Sequence, residues 1–133
     1  MQSLQVRTGE IKLQILDDSG EERGIFKFNP SDIESAKKVF SFQNDLNAKQ
    51  AEFSEKAKQC ETPEEKIELL DSVCDYFNNL IDSCFGEGSS ELLFGGAKTL
   101  SMYDDFIQGI IPYYQKASKE RVAKYSPKQT SKQ

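Results

Sequence analysis

Carboxylates are the most abundant reactive groups in this 133-residue chain, 22 Asp and Glu against 17 Lys and Arg, and histidine is absent. Paired carboxylates perform acid–base chemistry when a pocket brings two together and separates their pKa values. Asp104 and Asp105 are adjacent, and Glu64, Glu65, Glu68, Asp71 and Asp75 fall close in sequence. Their spacing brings no two into one pocket. The run from Glu64 to Asp75 reads as the wet face of an amphipathic helix with a negative first turn. Without histidine there is no Ser-His or Cys-His nucleophile pair, no imidazole ligand and no imidazole base. Cys60, Cys74 and Cys84 are spaced by 14 and 10 residues, which matches neither a C-x-x-C pair nor zinc-ligand spacing, so they read as buried thiols. Asp17, Asp18, Glu21 and Glu22 could hold a hard cation, but their order departs from a calcium loop and fits a solvated turn. Gly86-Glu87-Gly88-Ser89-Ser90-Glu91 lacks the Gly-Lys-Ser/Thr ending of a phosphate loop and carries repelling acids. The expectation is a protein that is not an enzyme, with no cofactor and no metal.

The elements that hold these groups begin with a strand. In Glu10 to Leu16, Ile11, Leu13 and Ile15 fall on one face and Lys12 and Gln14 on the other, the period-two alternation of a half-buried strand. After the acidic turn, Phe26 and Phe28 alternate again, so the two segments are expected to pair as an antiparallel hairpin, with Leu4 and Val6 extending the first strand or adding another. Asn29-Pro30-Ser31-Asp32 offers two starts for a helix near residue 31, Asn29 capping ahead of Pro30 or Ser31 capping with Glu34. Val39, Leu46, Phe53 and Cys60 recur every seven residues, with Phe42 and Ala57 beside them, predicting an amphipathic helix to about residue 59. At about 1.5 Å per residue it exceeds 40 Å, long enough to protrude or to be covered by a partner.

Thr62-Pro63-Glu64-Glu65 is a capping box with proline at the first helical position. Ile67, Leu70, Cys74, Phe77, Ile81 and Cys84 then mark the apolar face of a second helix, widened by Val73, Leu80 and Phe85, which should pack antiparallel on the first until a left-handed Gly86 stops it. Leu92, Leu93 and Phe94 form one helical turn between glycine pairs. A last helix, capped by Thr99 or Ser101, carries Tyr103, Phe106, Ile107, Ile110, Tyr114 and Ala117 on its apolar face, and Pro112 is expected to kink or end it. The fold class is thus α+β: an N-terminal antiparallel β-hairpin packed on three main α-helices, with a short glycine-bounded helical turn before the last. Residues 1–125 form a single domain and 126–133, which contain no apolar residue, a disordered C-terminal tail.

Charge divides unevenly: residues 1–114 hold 11 basic and 21 acidic side chains, while 115–133 hold six basic ones and Glu120 alone. An acidic body repels phosphate backbones, so nucleic-acid binding could rest only on the basic tail; that tail reads as a solvated helix end favourable to the helix dipole, and no nucleic-acid partner is expected. No apolar run approaches the roughly 20 residues of a membrane span, and the first residues lack a signal peptide's apolar segment, which points to the cytosol and no membrane. Leu92, Leu93 and Phe94, together with Ile111, Tyr113 and Tyr114 around the proline, are the candidate partner-binding residues, unless they close the core instead.

Phe85-Gly86-Glu87-Gly88-Ser89-Ser90-Glu91-Leu92-Leu93-Phe94-Gly95-Gly96, followed by Phe106-Ile107-Gln108-Gly109-Ile110-Ile111-Pro112-Tyr113-Tyr114, resembles a family of small tail assembly chaperones of long-tailed phages and prophages of Gram-positive bacteria. The order of hairpin, long helix after Asn-Pro, acidic helix and glycine-bounded segment is also similar. The resemblance implies a protein that binds the tape measure protein, keeps that long helical chain soluble and helps recruit tail tube subunits. It implies the cytoplasm of the infected or lysogenic host rather than the mature virion, and a longer frameshifted product is common in such families. The alternative is a structural tail or tail-completion component. Self-association, as rings, spirals or dimers, is compatible with either.

Overall fold

In the computed structural model, which describes residues 1–125, alternation and capping build the elements in the order expected. Strand β1, Ile11–Leu16, pairs antiparallel with β2, Glu22–Phe28, in a two-stranded sheet. Ile11 opposes Phe28 and Leu13 opposes Phe26, so the apolar residues of both strands share one face. The register slips between Ile15 and Leu16, which oppose Gly24 and Glu22. Arg23 is the extra residue of this bulge. Leu4 and Val6 add no strand: residues 1–10 have no regular structure and both side chains are largely exposed. Thr8 instead anchors this segment, its carbonyl accepting from Asn29 Nδ2 at 3.0 Å.

Helix α1, Ile33–Gln59, is capped by Asp32, whose carboxylate accepts from the amides of Glu34 and Ser35. Neither Asn29 nor Ser31 caps it. Asn29 Oδ1 is occupied with the amides of Ser31 and Asp32 in the preceding turn, which leaves Asp32 as the next oxygen in place. Helix α2, Pro63–Phe85, starts at the expected capping box: Glu65 N donates to Thr62 Oγ1 at 3.1 Å, and Thr62 N donates to Glu65 Oε1 at 3.0 Å. At its end Gly86 has φ 113° and ψ 151°, a positive-φ conformation that suits glycine but lies outside the left-handed helical region expected of the stop. The helices are antiparallel, with the Cys84 thiol 3.6 Å from the Lys38 carbonyl at one end and Phe53 beside Leu69 and Val73 near the other.

Helix α3, Ser89–Phe94, is the six-residue turn between glycines, and α4, Ser101–Tyr125, follows. Pro112 does not end α4. Gln108, Gly109 and Pro112 are all exposed, so the carbonyl freed by the missing N–H can be met by water. Residues 126–133, expected to be disordered, lie outside the described residues.

One contiguous core joins all the elements except α3's first turn. Val39, Phe42 and Leu46 of α1, Cys74, Phe77 and Ile81 of α2, and Tyr103 and Tyr114 of α4 are its most buried members. Much of its volume is aromatic: Phe26 stacks on Phe28 at 5.5 Å and meets Phe85 and Phe106 edge-on, and Phe77 meets Tyr103 at 5.0 Å. Such pairs contribute about 0.5–1.5 kcal/mol each beyond area burial. Polar tips are satisfied. The Tyr103 hydroxyl shares its proton between Asn78 Oδ1 at 2.8 Å and the Cys74 carbonyl at 3.1 Å, and Tyr114 Oη lies 2.7 Å from Ser35 Oγ.

Candidate functional site

The glycine-bounded segment is held from three sides. Asp82 Oδ1, one turn before the end of α2, accepts from Ser90 N at 2.8 Å and so supplies the side-chain cap that Gly88 cannot. Gly95 ends α3 at φ 59°, the left-handed conformation glycine adopts without cost, and its amide donates to the Glu91 carbonyl. The Arg23 guanidinium, aimed there by the bulge in β2, lies where a side chain at Gly95 would stand. Leu92 reaches β2 because Gly24 is bare: a Cβ there would lie 2.7 Å from the Leu92 methyl.

Held in this way, α3 forms one wall of an apolar groove of about 330 Å³. Leu13, Ile15 and Leu16 of β1 and Phe26 of β2 form a second wall, and Met102, Phe106, Gly109 and Ile110 of α4 the third, with Leu93 and Phe94 facing them. Among the described residues Asp105 is the one charged residue on its rim. A second depression, about 340 Å³, lies between α1 and α2, where Phe42, Leu80 and Cys84 are joined by Lys37, Lys38, Asp45 and two serines. The two differ in charge rather than in volume, since three charged side chains border the second and Asp105 the first.

The six residues expected to bind a partner divide. Phe94, Ile111 and Tyr114 are core residues, with Tyr114 fully buried, and of the three only Phe94 shows an edge in the groove. Phe94 fills the space between Tyr103 and Phe106 at 5.1 and 6.2 Å, and Tyr114 lies over Phe28. A small body needs these rings inside. Leu92 and Leu93 are half-buried and Tyr113 is exposed, its ring edge-on to Phe28 at 5.5 Å. Leu93 alone among the six reaches the groove with an accessible side chain. Sequence reading missed the β1 and Met102 contributions, which only the tertiary packing assembles. The available sign was Leu16, an apolar residue that breaks the alternation of Ile11, Leu13 and Ile15.

Burial pushes the Cys74 and Cys84 thiols and the Tyr103 and Tyr114 phenols above their ordinary values, which disfavours a thiolate nucleophile. Cys74 is buried, whereas Cys60 and Cys84 are only half-buried, because Cys60 lies at the α1–α2 turn and Cys84 borders the second depression. Glu65 is held below the usual carboxylate range by the amides of Glu61 and Thr62, and Glu52 by Lys56 and Lys49. Lys98 bridges Asp71 at 2.6 Å and Asp75 at 3.0 Å, which raises its pKa. Among the described residues no group of three or more Cys, Asp or Glu could hold a metal ion, and no helix is long and apolar enough to cross a membrane.

The family that matches residues 22–133 is described as a family of unknown function, DUF6673. No curated protein and no solved structure matches the chain.

Proposed function

The chain belongs to the DUF6673 family of unknown function, and for it we propose the role of a phage tail assembly chaperone, non-catalytic and without cofactor. In this role it binds the tape measure protein during virion assembly, keeps it soluble and helps recruit tail tube subunits. It acts in the cytoplasm of the infected or lysogenic host and does not remain in the virion. The observation that carries this reading is the apolar groove between the hairpin, α3 and α4. Helix-in-groove recognition needs a shallow apolar trough into which the i, i+3, i+4 and i+7 side chains of an amphipathic helix can be laid. A groove of about 330 Å³ takes one or two large side chains of such a helix. An acidic body with 22 carboxylates keeps the complex soluble while the client's apolar stripe is covered.

The test is co-expression with the tape measure protein, followed by size exclusion with light scattering at low and high salt. The expected result is a soluble complex that survives high salt, because apolar contacts are not screened, with the client insoluble when expressed alone. A client that is equally insoluble with and without this chain would overturn the reading.

A further inference from the structure

The apolar stripe of α2 is longer than the surface that covers it. Ile67, Leu70, Cys74 and Phe77 follow one another at helical spacing, yet α4 begins at the level of Cys74 and Asn78, where the Tyr103 hydroxyl contacts α2. N-terminal to that level Ile67 is 62% exposed and Leu70 half-buried, beside a shallow hollow of about 150 Å³. Parallel to the apolar stripe runs an acidic one, Glu64, Glu68, Asp71 and Asp75. Its upper half is occupied by Lys98, which pairs with Asp71 and Asp75. Its lower half, Glu64 and Glu68, forms no salt bridge among the described residues. The covered half shows what this surface takes: a bulky side chain over the apolar row and a lysine over the acidic one.

The other end of α4 carries that combination. Its last turns expose Ala123 on the side of Lys116 and Lys119, and Val122, 64% accessible, on the flank beyond Lys119. These residues are fixed at the opposite pole of the same chain, where Arg121 Nη2 donates to the Pro30 carbonyl ahead of α1. The two poles are separated by most of α1, roughly 30 Å at 1.5 Å per residue, so the contact cannot close within one molecule. We propose that the C-terminal turns of α4 of one copy dock on the Ile67–Leu70 face of a second copy, with Lys116 and Lys119 set against Glu64 and Glu68. Such a contact joins two different surfaces, so it propagates head to tail into a chain or ring. It uses none of the residues that line the apolar groove and stands independently of the chaperone reading.

The test is light scattering of the full chain over a range of concentrations, for wild type, Glu64→Lys/Glu68→Lys and Lys116→Glu/Lys119→Glu, with circular dichroism of each. All four substituted side chains are exposed, so the helical signal is expected to be retained. Wild type is expected to gain mass with concentration, and each variant alone to need at least about tenfold higher concentration, since like charges then face each other. An equimolar mixture of the two variants is expected to regain the wild-type behaviour, because each variant's tail then meets a face of opposite charge. A wild type monomeric at every concentration, a single variant that associates like wild type, or a mixture that stays monomeric would each overturn the proposal.

Discussion

Replacing Phe94 by alanine distinguishes a latch of the core from a mobile surface segment. Phe94 is 9% exposed and contacts Tyr103 at 5.1 Å and Phe106 at 6.2 Å. A buried Phe→Ala change costs about 3–5 kcal/mol. Here α3 has only six residues between glycines, so it can settle partly into the space, which places the expected loss near the lower bound, about 3 kcal/mol. For a domain whose total stability is of order 5–15 kcal/mol, that is a large fraction. With a urea m-value of about 1–3 kcal/mol/M, the midpoint should fall by about 1–3 M. The assay is urea unfolding followed by circular dichroism, with Leu93→Ala alongside. Half-buried Leu93 should cost about 1 kcal/mol, since only part of its side chain leaves water on folding. Equal, small effects of less than about 1 kcal/mol at both positions would refute the reasoning, for α3 would then be detached from the core and the groove would lose one wall.

Three further outcomes follow from the same contacts. Thr62→Ala removes one side of the capping box and should cost about 1 kcal/mol in thermal or urea unfolding. Glu65 has a folded pKa below its ordinary value because backbone amides favour the carboxylate, so its contribution is present above the ordinary carboxylate range and lost as pH falls through the folded value. Acid titration of wild type against Glu65→Gln should therefore show curves that converge at low pH, and a constant gap across the whole range would contradict this. Tyr103→Phe keeps the ring and removes a hydroxyl shared by Asn78 and the Cys74 carbonyl. It should cost about 1 kcal/mol, and unchanged stability would show that water replaces the hydroxyl.

Local signals were enough for most of the fold. Ile11, Leu13 and Ile15 alternate and face inward; Thr62 to Glu65 form the capping box; Tyr103, Phe106, Ile107, Ile110, Tyr114 and Ala117 are all buried on one face of α4. The departures arise where a residue's role is settled by something distant. Asn29 is drawn into the turn that ties down Thr8, so Asp32 takes the cap. Ile67 continues a helical stripe perfectly well in sequence but lies beyond the reach of α4. Leu4 and Val6 alternate without a neighbouring strand to pair with. The candidate site was half legible: the glycines marked α3 and Leu93, but Phe94, Ile111 and Tyr114 went to the core because ring packing claims them. The remaining walls come from β1 and Met102, brought together only by the bulge at Arg23, the bare Gly24 and the Asp82 cap.

The most direct measurement of the central claim, that the groove between hairpin, α3 and α4 binds an amphipathic helical client, is co-expression of Leu93→Asp and wild type side by side with the tape measure protein. Leu93 is half-buried at the groove wall, so a carboxylate there should leave the helical signal in place while placing a charge in the path of an apolar side chain. A soluble complex is expected with wild type and none with the folded variant. A variant that keeps its fold and solubilises the client as well as wild type does would contradict it.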